Sequence, residues 1–438
     1  FNMKKRFLAV LLLAVLLAMS MAQAAWAAEE ELNNDKLFAA YVEQVLYGGN
    51  DGIELYGSSA ADVVFKDDSF NMKVYGILKD KISEVAKNGG SSYITISSQE
   101  LGIKEHWTAA ELGFPQGIDL ANSEQMEKVY ESINQIFPVS DLMGEVLRND
   151  CPYELYWASP GLGWSCFPDD WNAEDGVTSN IILDKCVFFF GVAEAYRGDD
   201  YTDENPTVKS AVKIVQDIPQ KAMAIVNKYK GKSVYERLEG YKNEICQLTS
   251  YNHDAVGENR LPYGDPWQII YVFDGDSSTN VVCEGYAKAF QYLCDLDGGT
   301  EFECYCITGY LLDKNGSGGG HMWNIVRIDG KSYLVDVTNC DDGTVGAPDN
   351  LFLKAPTEGN VQNGYTFIIN LFDSASYVYA DMENFGEDML DLFGEEILTL
   401  AEESYSPVDT PIKPVDPEKP TVPVTGITLN QQTAALKV

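Results

Sequence analysis

The sequence predicts an α+β fold in which a helix packs on an antiparallel sheet, and three observations carry that prediction. After the cap-type run Ser277-Ser278-Thr279-Asn280, apolar Cys283, Ala287, Phe290 and Cys294 recur at helical spacing with no proline between them. Residues 304–308 and 322–328 are rich in β-branched and aromatic residues, as strands are. Between Ile328 and Lys331 stands Asp329-Gly330, a two-residue hairpin signal.

At the amino terminus, Lys4-Lys5-Arg6 precede an apolar run over 7–22 that only Ser20 interrupts. Ala25-Trp26-Ala27 then offers a small-x-small cleavage site before Glu29-Glu30-Glu31. Residues 1–27 therefore read as a signal peptide, with Phe1-Asn2 standing before a start at Met3. Its apolar run, about 16 residues, falls short of the roughly 20 a bilayer span needs. The mature chain is expected to be secreted or held at the cell surface, with no membrane span.

Residues 28–205 read as an α+β accessory domain. Helices are expected at 35–47, 71–87 and 124–148, the first two closed by Gly48-Gly49 and Gly89-Gly90. Strands are expected at 93–96 and 186–190. The aromatic group Tyr153, Tyr156, Trp157, Trp164 and Trp171 suits a packed core edge better than the lining of a groove.

Residues 206–404 read as a second domain. A helical pattern over 207–230 is interrupted at Pro219, and Ser233 with Glu236 forms a capping box for a helix running to about Leu248. Asp274, Asp276, Ser278 and Asn280 echo the start of a calcium loop but lack its glycine and its closing glutamate, so a solvated turn is expected. Gly316-Ser317-Gly318-Gly319-Gly320 suits the turn of a long hairpin better than a moving lid. Residues 405–423, with Pro407, Pro411, Pro414, Pro417, Pro420 and Pro423, read as a stiff linker.

The hairpin brings chemistry together. With a two-residue turn, Trp323 faces Asp336 and His321 faces Thr338. His321 and Asp336 then become diagonal neighbours on one face, roughly 7–8 Å apart along the backbone. A three-residue loop would put them on opposite faces. Cys283 falls in the first helical turn, where the helix dipole favours thiolate, the form that reacts. The chain has three histidines, His106, His253 and His321, so few bases are available. Singly, these residues are ordinary: a cysteine on an apolar helix face is usually inert core. Their joint order, spacing and register point to a thiol nucleophile, a base and an orienting acid.

Three motifs carry a resemblance. Cys283-Glu284-Gly285-Tyr286-Ala287, His321-Met322-Trp323-Asn324 and Tyr333-Leu334-Val335-Asp336-Val337-Thr338 resemble the nucleophile, histidine and acid motifs of the transglutaminase-like superfamily. The resemblance covers residues 206–404 and is closest over 267–354. It implies a papain-like core with Cys283 as nucleophile, His321 as general base and Asp336 as its orienter. Met322 departs from the usual alanine, and Asn339-Cys340 follows Thr338 where the family often has a tryptophan. Residues 424–438 resemble the opening of a group 2 bacterial immunoglobulin-like domain, a kind of module that tethers proteins at surfaces. The chain stops before such a domain would be complete, so a fragment is expected.

The implied function is extracytoplasmic acyl transfer on amide bonds of peptides or proteins, as a cysteine peptidase or, less favoured, a transglutaminase-like cross-linker. The competing reading is a non-catalytic surface module that binds peptide or glycan in the same groove. The oxyanion needs donors: the backbone N–H of Cys283 is the natural first, and the indole N–H of Trp267 or Trp323 is a candidate second. No cofactor is expected. Cys304, Cys306 and Cys340 lack the paired C-x-x-C spacing of a zinc site, so no metal is expected either. Nine cysteines leave eight beside Cys283 for disulfides whose connectivity stays open. A net charge of −36 argues against nucleic acid as a partner. Peptide or protein substrates, with cell-wall or surface components, are the expected partners.

Overall fold

In a computed structural model, residues 59–166, 173–174, 176–256, 269–298, 300–341, 350–370, 373–379 and 389–407 are described. The expected signal peptide, the helix at 35–47, most of the proline-rich linker, the immunoglobulin-like start, Trp171 and Trp267 lie outside them. The described residues mix helix and sheet in an α+β arrangement.

Three strands of the first region, β1 (Tyr93–Ser97), β2 (Ala158–Ser165) and β3 (Lys185–Val192), pair antiparallel in the order β1-β3-β2. Along β3 burial alternates residue by residue, with Cys186, Phe188, Phe190 and Val192 turned inward. A disulfide joins Cys166 to Cys186. Helix α1 (Ser69–Asn88) opens where Asp68 accepts the Asn71 N–H, and it buries Val74, Leu78 and Ile82 at one-turn spacing.

The helix expected over 124–148 is two: α2 (Ser123–Ile136) and α3 (Met143–Asp150). The break has a local cause. Pro138 disfavours helical backbone at the residue before it, and Phe137 sits at φ −116°, ψ 79°. The expectation for 207–230 also needs correction. Thr207–Val208 pairs as a short strand with Gly90–Ser91, and α4 (Lys213–Tyr229) starts later and runs unbroken through Pro219. An interior proline costs about 3 kcal/mol, and buried Val215, Ile218, Ala222 and Val226 anchor this helix on both sides of it. The capping box at Ser233 and Glu236 opens α5 (Val234–Leu248) as expected.

Helix α6 (Cys283–Asp297) begins at Cys283, with Ala287, Phe290 and Cys294 buried along the anticipated stripe. A seven-stranded antiparallel sheet follows: β4 (Phe302–Asp313), β5 (Gly318–Ile328), β6 (Lys331–Val335), β7 (Phe352–Lys354), β8 (Glu358–Asn360), β9 (Gly364–Ile368) and β10 (Ser374–Val378), in the order β7-β6-β5-β4-β10-β9-β8. Both faces are covered. Helix α6 lies on one face, where Asn324 Nδ2 donates to the Ala287 carbonyl at 3.0 Å. Helix α7 (Met389–Leu398) lies on the other, with Phe393 5.3 Å from the Tyr305 ring.

The hairpin register is the one the turn dictates. Asp329 and Gly330 both have positive φ, 49° and 78°, as a two-residue turn between twisted strands requires. Ile328 pairs with Lys331, and the ladder runs on to Asn324 and Val335. It stops there. The expected pairings of Trp323 with Asp336 and of His321 with Thr338 do not form, because the chain leaves the sheet and turns through Thr338–Cys340. The glycine run forms no separate lid: Gly318, Gly319 and Gly320 belong to β5 and pair with Leu312, Leu311 and Tyr310.

Described residues up to Tyr405 belong to one compact unit. A buried hydrogen-bond set ties its first region to helix α6. Gln291 Nε2 donates to the Asn149 carbonyl and side chain at 2.7 and 3.1 Å, Gln291 Oε1 accepts the Cys306 N–H at 2.7 Å, and Asn149 Nδ2 donates to the Cys306 carbonyl at 3.0 Å. Among the described residues, no helix is long and apolar enough to cross a membrane.

Candidate active site

The site begins with a turn. Asp274 and Asp276 accept the N–H groups of Asp276 and Ser278 at 2.7 and 2.9 Å, and Thr279 donates its hydroxyl to Asp274. These carboxylates fold the approach to α6 back on itself, as a solvated turn does. Val281 then bridges to Tyr251, and Val282 caps the helix without offering a side-chain acceptor. Gly285 allows this entry: a Cβ there would stand 2.5–2.9 Å from the Val281 side chain.

Cys283 is half-buried and free. Its thiol lies beside the imidazole of His321, near enough to favour the charged ring. His321 Nε2 in turn lies 2.8 Å from Asp336 Oδ2, with the two side chains 8% and 0% exposed. Because Nε2 is engaged by the carboxylate, Nδ1 is the ring nitrogen left for the thiol. Trp323 stacks beside the imidazole at 6.1 Å and 20°. All three residues singled out in the sequence are therefore brought together.

Asp336 is held by two further residues. Tyr377 donates its hydroxyl to Oδ2 at 2.6 Å, Asn339 donates Nδ2 to the same oxygen at 2.7 Å, and the Asn339 N–H reaches Oδ1 at 3.1 Å. Burial opposes a charge on Asp336, but the neighbouring imidazolium and the donors from His321, Tyr377 and Asn339 outweigh it and hold the carboxyl below its usual range. Burial likewise opposes charge on His321. The carboxylate beside it, its hydrogen bond and the Cys283 contact outweigh that and raise the imidazole well above its ordinary value.

Sequence reading missed Tyr377, Asn339 as a partner, and Tyr251. Asn339 had stood out only as a departure from the family motif. Tyr251 is half-buried, and its phenol is pushed up to about 12, first by burial and then by the charges of Cys283 and Asp336 nearby. The Trp323 indole N–H is buried without a partner in a residue 0% exposed, so it is not presented to a substrate.

The remaining free cysteines are in other surroundings. Burial pushes the thiols of Cys151, Cys304 and Cys306 well up and raises those of Cys294 and Cys340. Cys304 lies beside Cys294, whereas Cys340 lies near Lys242 and Cys246. Among the described residues, no group of three or more His, Cys, Asp or Glu is placed to hold a metal ion.

No family model and no curated protein matches the chain. Among solved structures, a candidate cysteine protease from Cytophaga hutchinsonii matches with a TM-score of 0.21 and 13% identity. The match covers 41% of this chain and 64% of that one, less than two thirds of its length. A likeness of that size assigns neither a family nor a chemistry to this chain.

Proposed function

We propose that the protein is an extracytoplasmic enzyme of thiol-dependent acyl transfer on amide bonds of peptides or proteins, with Cys283, His321 and Asp336 as its catalytic triad in a papain-like, transglutaminase-like core. One observation supports this most: the thiol at the start of α6 lies beside an imidazole whose Nε2 is 2.8 Å from a fully buried carboxylate.

The chemistry follows from the arrangement. His321 takes the Cys283 proton, and the thiolate attacks the amide carbonyl. The imidazolium then protonates the departing amine as the tetrahedral adduct collapses to a thioester. Water, or a second amine, adds to the thioester with His321 as base, and the thiol leaves with its proton restored. Asp336 keeps the ring oriented and stabilises its charged form. The oxyanion that forms in each half is met by the backbone N–H of Cys283, with the protonated phenol of Tyr251 as the candidate second donor. Hydrolysis is the expected outcome wherever no acceptor amine is bound. Residues 1–27 serve as the export signal in this reading.

The test is to incubate the mature chain with a peptide pool and a labelled primary amine, followed by mass spectrometry. New peptide termini that disappear in Cys283→Ala are expected; amine adducts would mean transamidation. Neither product, with peptides retained on the protein, would leave a binding module in place of an enzyme.

A further inference from the structure

Beside His321 the sheet carries a cleft of about 470 Å³, within the size range of small-ligand sites. We propose that this cleft receives an apolar side chain of the polypeptide substrate, next to the reacting bond, and that Gly319 sets the size of side chain admitted. The proposal rests on Cys283 and His321 being the reacting pair.

Register places the cleft. Strand alternation puts Gly319 and His321 on one face, two residues and so about 7 Å apart. Gly319 pairs with Leu311 and Gly309 with His321, while Asp313 pairs with Ala375 across the neighbouring strand. The floor leading away from the imidazole is thus Gly319, Leu311 and Ala375, which is apolar and low. A Cβ at Gly319 would meet nothing within 4 Å, so the space above it is open. At Gly318 the opposite holds, since a Cβ there would collide with the Leu311 backbone. The two glycines differ in purpose: Gly318 permits strand pairing, and Gly319 leaves room.

The polar groups stand at the rim and are locally engaged. Lys314 Nζ lies 2.9 Å from Asp373 Oδ1, and Asp313 Oδ1 accepts the N–H groups of Asn315 and Ser317 at 2.8 and 2.9 Å. Two carboxylates against one ammonium leave the mouth net acidic. An apolar side chain therefore fits the floor, and an acidic one is repelled at the entrance.

The experiment uses the mature chain carrying Cys283→Ser, so that peptides bind without turnover. Fluorescent peptides of the form Gly-Gly-X-Gly-Gly, with X as Leu, Phe, Gly or Glu, are titrated in. Leu or Phe is expected to bind at least tenfold tighter than Gly, and Glu no tighter than Gly. Gly319→Leu should erase that preference at an unchanged melting temperature. Leu311→Ala, which removes floor rather than filling space, should weaken it severalfold and serves where Gly319→Leu fails to fold. No preference for apolar X, or one that neither substitution alters, overturns the proposal. Side-chain preference with no turnover by the unsubstituted chain would instead sink the acyl-transfer reading and keep the cleft as a binding site.

Discussion

Asp336 is the residue on which the site's geometry converges. Its two oxygens take hydrogen bonds from His321, Tyr377 and Asn339 within a side chain that is 0% exposed. Asp336→Asn keeps the shape but removes the charge that holds the imidazolium. It is expected to lower kcat on the order of 10²–10⁴-fold, and NMR titration should show the His321 ring falling back toward its ordinary pKa. Tyr377→Phe removes one donor from a buried carboxylate and is expected to cost about 1–3 kcal/mol of stability, read by urea unfolding. The pair also has a pH signature. His321 is raised in the folded state, so its contribution is full below about pH 6.5 and is lost as pH climbs through the raised value. Asp336 is lowered, so its contribution is full above about pH 4 and is lost as pH falls through the lowered value. The stability gap between the wild type and His321→Ala should therefore be widest between those limits and narrow in strong alkali. A gap that widens as pH rises above about 6.5 would contradict the pairing. His321 and Asp336 were legible together because Asp329-Gly330 fixes a local register. Tyr377 was not, because it arrives on β10, whose place beside β4 depends on contacts far apart in the chain.

At the scale of elements, α6 and β5 position the chemistry. The helix start was readable from its cap-type run and apolar stripe, and the strand from its β-branched residues. Where the ladder ends was not readable, since leaving the sheet after Val335 depends on how Asp336 is bound. The split of α2 from α3 had a signal in Phe137-Pro138 that an amphipathic pattern spanning the break concealed. Gly285→Ala would press a methyl group into Val281 at the mouth of α6. It is expected to destabilise the protein by about 1–3 kcal/mol and to slow Cys283 alkylation. Unchanged melting and alkylation would show that this approach is not needed.

For the whole molecule, the first region and the region that holds Cys283 and His321 share buried polar contacts as well as apolar surface. Asn149 on α3 satisfies Gln291 on α6 and the Cys306 carbonyl on β4. A chain cut to residues 206–405 loses those partners and exposes the Tyr292 ring on which Tyr153 now stacks. It should unfold at lower urea than the chain beginning at residue 28, or fail to fold alone. The triad itself is tested most directly by the alkylation rate of Cys283 with iodoacetamide at pH 6, followed by mass spectrometry in the wild type and in His321→Ala. Selective labelling of Cys283 that drops at least tenfold without the imidazole is expected; an equally slow rate in both would contradict the account.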